Sequence, residues 1–285
     1  MNRIDALFAR LRAEGRRALM PFLTAGDPDL ATTATLIHEM VLRGASMVEL
    51  GIPYSDPIAD GPVIAASYHR ALTRGVKLDH IFEMLRTLRA ETADSPVVHT
   101  PLVTMVSYAI VHRTGVDRYL DRAVASGVDG LIVPDLPVEE SQSLLDKITQ
   151  RDLRLIQLVT PLTPRQRALE IARTTTGFLY YVSVAGITGE RKELPPDLAD
   201  NVAWLRSQTT LPICIGFGIS TPEHIAQLAP VADGLIVGSA LVRRLEQAEG
   251  HPRAEVVEAV GHLIHTLAAA LEATTAGARG AGQTS

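Results

Sequence analysis

Two carboxylates lying eleven positions apart mark the part of this chain able to do acid–base chemistry. Glu49 sits in the apolar run SMVELG (46–51), and Asp60 follows in the loop IPYSDPIADGP (52–62). Met47, Val48 and Leu50 favour a buried strand, in which a lone carboxylate must be paired, protonated or used. No Lys or Arg adjoins Glu49, so a distant arginine or a backbone amide is its plain alternative partner. Pro53, Pro57 and Pro62 exclude a helix through 54–61. The loop bearing Asp56 and Asp60 then folds back over the strand's carboxyl end and sets Glu49 and Asp60 across one pocket. A carboxyl raised by burial beside one that stays ionised suits general acid–base work.

A second group of residues suits an anion. Gly186, Gly189, Gly216, Gly218 and Gly238, with Thr188, Ser220 and Ser239, put bare amides and hydroxyls on three successive loops. Two of these loops open into helices, after Ser220 and at Ser239, whose first amides favour a phosphate. Thr188, Arg191 and Lys192 lie on a loop long enough to act as a lid.

The elements that must carry these residues alternate. Strand patterns cover 18–23, 47–51, 97–105, 130–135, 153–160, 177–184, 212–216 and 234–237. Between them, helical stripes cover 31–43, 80–91, 116–126, 141–151, 165–174, 198–207 and 223–228. Strand–helix alternation with short links predicts a parallel sheet. The pentapeptide DGLIV recurs at 129–133 and 233–237, in the fourth and eighth strands. Eight units in two similar halves predict an α/β protein of the (β/α)8 TIM-barrel class, with its working residues where strands end. Ile4, Leu7, Phe8 and Leu11 form a stripe on an additional N-terminal helix that plugs one end. One catalytic barrel domain over 1–273 is expected, with a closing helix at 256–271 and a flexible tail at 274–285.

Composition narrows the function classes. At 285 residues and 46% hydrophobic content, the chain can bury a large core. The net charge of -5 and the scattered arginines argue against a nucleic-acid groove. Cys214 alone permits no disulfide within the chain, in keeping with a reducing cytoplasm. No apolar run reaches the roughly 18–20 residues of a membrane span. His262 and His265 share a helix face without a third ligand, so no metal site is expected.

LTAGDPD, VELGIPYSDPIADGPVI, GLIVPDLPVEES, GFLYYVSVAGITGER and IGFGIS followed by DGLIVGSALV stand in one order. In that order they resemble the tryptophan synthase alpha chain family over about residues 1–272. The resemblance implies a barrel lyase that cleaves indole-3-glycerol phosphate into indole and glyceraldehyde 3-phosphate, in tryptophan biosynthesis. It implies that Glu49 protonates indole C3, that Asp60, on a more solvated loop, stays ionised and binds the indole N–H, and that Tyr180 lies beside the catalytic glutamate. Phe22, Ile64, Ile132 and Ile219 would form the apolar pocket. The phosphate would sit on Gly189, Gly218, Gly238 and Ser239, flanked by Phe217, with Thr188 reaching from the lid towards Asp60. No cofactor is implied here, since pyridoxal phosphate belongs to a beta chain in an α2β2 heterotetramer. Pro53, Asp56, Pro57 and Ala109 match positions that meet that partner.

One departure concerns the partner. Where the family reads roughly MTYYNPI, this chain reads MVSYAIVHRTG, with Ala109 and Ile110 for an Asn-Pro. A free-standing lyase and a non-catalytic activator of a beta chain are therefore alternatives, told apart by turnover with and without the partner.

Overall fold

Strand registers, more than helix positions, show how the chain closes on itself. The computed structural model describes residues 1–57, 60–182, 197–216, 218–247 and 250–281. Its strands are β1 (Ala18–Thr24), β2 (Val48–Gly51), β3 (Leu102–Met105), β4 (Gly130–Ile132), β5 (Arg154–Ile156), β6 (Leu158–Val159), β7 (Leu179–Val182), β8 (Ile213–Gly216) and β9 (Gly234–Val237). They pair in parallel in the order β5-β4-β3-β2-β1-β9-β8-β7-β6. Only Gln157 separates β5 from β6; the first pairs with β4 and the second with β7, so this one stave closes an eight-stave barrel. At the switch, the Gln157 carbonyl accepts from Tyr180 N at 3.0 Å. Its buried side chain donates to Thr174 and accepts from Ser141, which leaves no polar atom stranded.

The helices are α1 (Arg3–Ala13), α2 (Leu30–Leu42), α3 (Pro62–Thr73), α4 (Leu78–Arg89), α5 (Pro96–His99), α6 (Tyr108–Thr114), α7 (Val116–Ala125), α8 (Val138–Thr149), α9 (Arg165–Arg173), α10 (Leu198–Gln208), α11 (Pro222–Leu228), α12 (Ser239–Gln247) and α13 (Arg253–Ala281). The strand expected over 97–105 begins only at Leu102, because Pro96 starts the short helix α5. β4 stops at Ile132, two residues before Pro134, which has no amide for the ladder. Segment 274–285, expected as a tail, is helical as far as Ala281, and 282–285 lie outside the described residues.

Buried on both faces, the sheet sorts its side chains by parity. Val48 and Leu50 point out to the helices, while Met47 and Glu49 point into the barrel. α1 closes the amino-terminal end: Ile4, Leu7, Phe8 and Leu11 pack inside, with Phe8 and Phe178 rings 5.8 Å apart. Gly130 makes room for this plug, since a Cβ there would lie 2.9 Å from Ile4 and from Ile156. Asn2 fastens it, accepting from Ile4 N and donating to the Asp129 and Asp152 carbonyls. The span Arg253–Thr275 is long and apolar enough for a membrane helix by length and composition, contrary to expectation. Its Val256, Val260, Leu263, Ile264, Leu267 and Leu271 pack instead into the core outside the barrel.

The repeated DGLIV pentapeptides perform the same task twice. Asp129 Oδ2 accepts from Leu102 N, and Asp233 Oδ2 from Ile213 N, each at 2.9 Å and each tying a strand to the start of its predecessor. Their carbonyls accept from Arg154 N and Ala18 N, the next staves round. Asp129 also meets Arg89 and the more exposed Arg3, and Asp233 meets Arg206. Because the Arg89 side chain is only 9% exposed, Asp129→Asn is expected to lower stability by about 3–5 kcal/mol by stranding that charge. Arg206 is 44% exposed, so Asp233→Asn should remove only about 1–2 kcal/mol. Urea denaturation of both variants checks the ranking; the reverse order would refute it.

Candidate active site

Glu49 faces Phe22 and Val103 across the ladders on either side of β2 and is 1% exposed. Among the described residues its Oε2 has no hydrogen-bond partner. Burial, and secondly the charge of Asp60, push this carboxyl up to about 8. The inner wall does this, with Met47 but without Val48 and Leu50, which sit on the opposite face of the strand.

Asp60 lies where the loop returns over the barrel, and Tyr54 Oη donates to its Oδ2 at 3.2 Å. The loop is less solvated than expected: burial raises Asp60 to about 6, the Tyr54 hydrogen bond opposes this, and the Asp135 charge adds to it. Near pH 7 it remains roughly ten parts in eleven ionised. Asp135, after β4, is held by Ser107 Oγ at 2.6 Å and Tyr108 N at 2.7 Å.

Three inward positions near the carboxyl ends of the strands carry no side chain. A Cβ on Gly51 would lie 2.6 Å from the Phe22 ring and 2.7 Å from Tyr68 Oη; one on Gly216 would lie 2.6 Å from Tyr180 Oη. Gly238 leaves ordinary contact distance to Phe22. Tyr180 projects inward from β7 beside Cys214, and burial, followed by the charges of Glu49 and Asp60, raises its phenol well above the usual range. It therefore remains a hydrogen-bond donor facing the carboxylate pair. Of the residues read as an apolar pocket, Phe22, Ile64 and Ile132 join the inner cluster. Ile219 does not: it packs with the outer core.

Among the described residues, one of the two expected anion-binding helix starts is present and the other is not. Gly218 adopts φ 39°, and Gly238 leads into Ser239 and α12, where the Gly238 carbonyl accepts from Leu241 N and Val242 N. That leaves the first amides of α12 ahead of its own ladder. α11 is different, because Pro222 has no amide, Ser220 N turns to His224 Nδ1 and His224 N turns to the Thr221 hydroxyl. Thr188, Gly189 and Phe217, together with Gly186, Arg191 and Lys192, lie outside the described residues.

The expected partner positions lie beside the same rim. Pro53, Asp56 and Ala109 line a cleft of about 800 Å³ with Tyr54, Ile110 and Asp135, while half-buried Pro57 follows in the same loop. Tyr54, Tyr68 and Asp135 are not singled out by the sequence pattern. Tyr54 lies within the same loop motif and Asp135 at a strand end, signals that could have pointed to them. Tyr68 has none, since its helix α3 is not among the predicted stripes. Among the described residues no three His, Cys, Asp or Glu side chains gather as metal ligands.

The raised carboxyl carries a thermodynamic signature. Between its ordinary 4.5 and about 8, folded Glu49 holds a proton that the unfolded chain has lost, so its contribution to stability falls as pH rises through that window. Glu49→Gln is expected to lose less stability than the parent chain from about pH 5 to about pH 8. Parallel curves from urea titrations at several pH values would show that Glu49 ionises freely.

Comparison with known proteins agrees with this geometry. The family model for the tryptophan synthase alpha chain matches residues 8–272. A tryptophan synthase alpha chain of Rhodopirellula baltica is 52% identical over 280 residues, covering 96% of this chain and all of the relative. That of Synechocystis is 47% identical, covering 88% of this chain and 93% of the relative. The crystal structure of tryptophan synthase subunit alpha from Legionella pneumophila superposes with TM-score 0.85 at 36% identity, covering 95% of this chain and 99% of that one. Barrel topology, site order and near full-length similarity converge: the chain belongs to the tryptophan synthase alpha chain family.

Proposed function

We propose that Glu49 and Asp60 divide between them the family's reaction, the cleavage of indole-3-glycerol phosphate to indole and glyceraldehyde 3-phosphate in tryptophan biosynthesis. The observation that carries this reading is Glu49 itself, a buried carboxyl with an unpartnered oxygen facing Asp60. Indole is a poor leaving group until C3 is protonated. Protonated Glu49 gives its proton to C3, turning the ring into an indolenine with positive charge at nitrogen. The resulting carboxylate takes the proton of the glycerol hydroxyl next to the ring. The O–H pair becomes the aldehyde carbonyl, the carbon–carbon bond breaks, and its electrons restore the aromatic indole. The ring N–H is met by ionised Asp60, which Tyr54 orients. Tyr180 either hydrogen-bonds the glutamate or only fills the barrel beside it.

Phosphate binding is read onto Gly238, Ser239 and Gly218, with Gly189, Phe217 and the Thr188 lid carried over from the family. The chain needs no cofactor of its own in this reading. Its lone cysteine, buried Cys214, fits a cytoplasmic protein. The cleft of about 800 Å³ lined by Pro53, Asp56 and Ala109 supports a beta chain as partner in an α2β2 assembly, with pyridoxal phosphate on that partner.

The paired values of about 6 and about 8 imply a bell-shaped kcat/KM, falling below pH 6 as Asp60 protonates and above pH 8 as Glu49 ionises. Glu49→Gln and Asp60→Asn are each expected to lower indole release by about 10²–10⁴-fold while substrate still binds. Indole assays with equilibrium binding test this, and turnover unchanged by Glu49→Gln would refute the acid. Adding a beta chain should raise the rate of indole formation. Full turnover in its absence, with no copurifying partner, would favour the free-standing lyase.

A further inference from the structure

The TAGDP segment at the end of β1 (24–28) has no part in the chemistry above, yet Asp27 is the buried hub of an ion cluster. Its carboxylate, 4% exposed, receives Arg70 Nε at 3.1 Å and Nη2 at 2.7 Å, and Arg74 Nη1 at 3.3 Å. The third Arg70 nitrogen, Nη1, reaches across to Glu246 at 3.1 Å. Arg70 belongs to α3, which starts at Pro62 just after Asp60; Glu246 belongs to α12, which starts at Ser239 just after Gly238. One guanidinium thus joins, near their far ends, the two helices that begin at the carboxylate side and at the phosphate side of the site.

Both helices also pack against β1, α12 through its buried Leu241, Val242 and Leu245. α3 is tied to β1 by Thr24 Oγ1, 2.5 Å from Ser67 Oγ, which itself donates to the Ile64 carbonyl, and its C-cap Arg74 donates to Asp27 in the loop after β1. Glu246 is half-exposed, so its bond to Arg70 adds little stability and serves mainly to fix direction. A planar fork can hold Asp27 with two nitrogens and spare a third for Glu246; an ammonium cannot keep that geometry.

We propose that Arg70 is a positioning residue for phosphate binding, setting the amino terminus of α12 relative to Asp60 through Asp27 on one side and Glu246 on the other. The inference rests on reading Gly238 and Ser239 as the phosphate cradle. Weakening the brace moves the phosphate end while α3 and the carboxylates stay in register, so substrate affinity suffers more than turnover.

The test uses the full chain with Arg70→Lys and Glu246→Gln. It measures kcat and KM for indole-3-glycerol phosphate, competitive inhibition by inorganic phosphate, and the thermal midpoint. Arg70→Lys is expected to raise KM and the phosphate inhibition constant about tenfold with kcat within about threefold. Glu246→Gln, which leaves the buried Asp27 pair intact, should raise both about two- to fivefold at an unchanged midpoint. The proposal is overturned if KM and phosphate inhibition stay at parental values in both folded variants, or if kcat falls while KM holds. Failure of the cradle reading would show elsewhere, as a parent chain indifferent to phosphate, and would take the proposal with it.

Discussion

The molecule depends on a carboxyl group kept without a counter-charge inside a parallel barrel. Desolvation disfavours the ion, and no cation among the described residues compensates it, so Glu49 relieves the strain by keeping its proton. Its environment on every side serves that state. Below, α1 seals the barrel with Phe8 and Leu11; at the same level, Phe22 and Val103 exclude water; across the pocket, Asp60 adds a like charge. Glycines at the inward positions Gly51 and Gly216 let the rings of Phe22, Tyr68 and Tyr180 pack close against the strands, and Gly238 leaves ordinary contact distance to Phe22.

The two ends of the barrel are specialised in opposite ways. At the amino-terminal end, Asp129 and Asp233 are fully engaged with amides of the strands beside them and with arginines, an arrangement for holding staves in register. At the carboxyl end, polar atoms are left unpaired: Glu49 Oε2 and Tyr68 Oη have no partner among the described residues. A fold with satisfied polar groups at one end can carry unsatisfied ones at the other, which is how barrels of this kind separate stability from reactivity.

The site and the neighbouring cleft are not independent. Tyr54 donates to Asp60 and also lines the cleft; Asp135 raises Asp60 and is itself held by Ser107 and Tyr108 at the start of α6. Ala109 and Ile110, read from the sequence as a departure from the family pattern, follow directly in α6. The departure therefore lies close to the ionised member of the carboxylate pair.

Much of this is legible in the chain itself. Short apolar runs and period-3.6 stripes reveal the staves and seven of their helices, because strands buried on both faces are apolar throughout and the helices packed on them are apolar on one side. Glu49 stands out because a charge in an apolar strand must be compensated or put to use, and Asp60 because three prolines keep its loop from becoming helix. The repeated DGLIV foretells two similar halves, though not that its aspartates clamp neighbouring strands. What the tertiary structure decided was everything that depends on which side of a strand or helix meets which neighbour. It separated Met47 from Val48 and Leu50, drew Tyr54, Tyr68 and Asp135 to the carboxylates, assigned Ile219 to the outer core and turned the amides at α11 inward on their own cap. Even where the partners are close in sequence, as Tyr54 and Asp60 are, their surroundings come from distant parts of the chain, and the energies depend on shared burial, a quantity no local stretch of sequence contains.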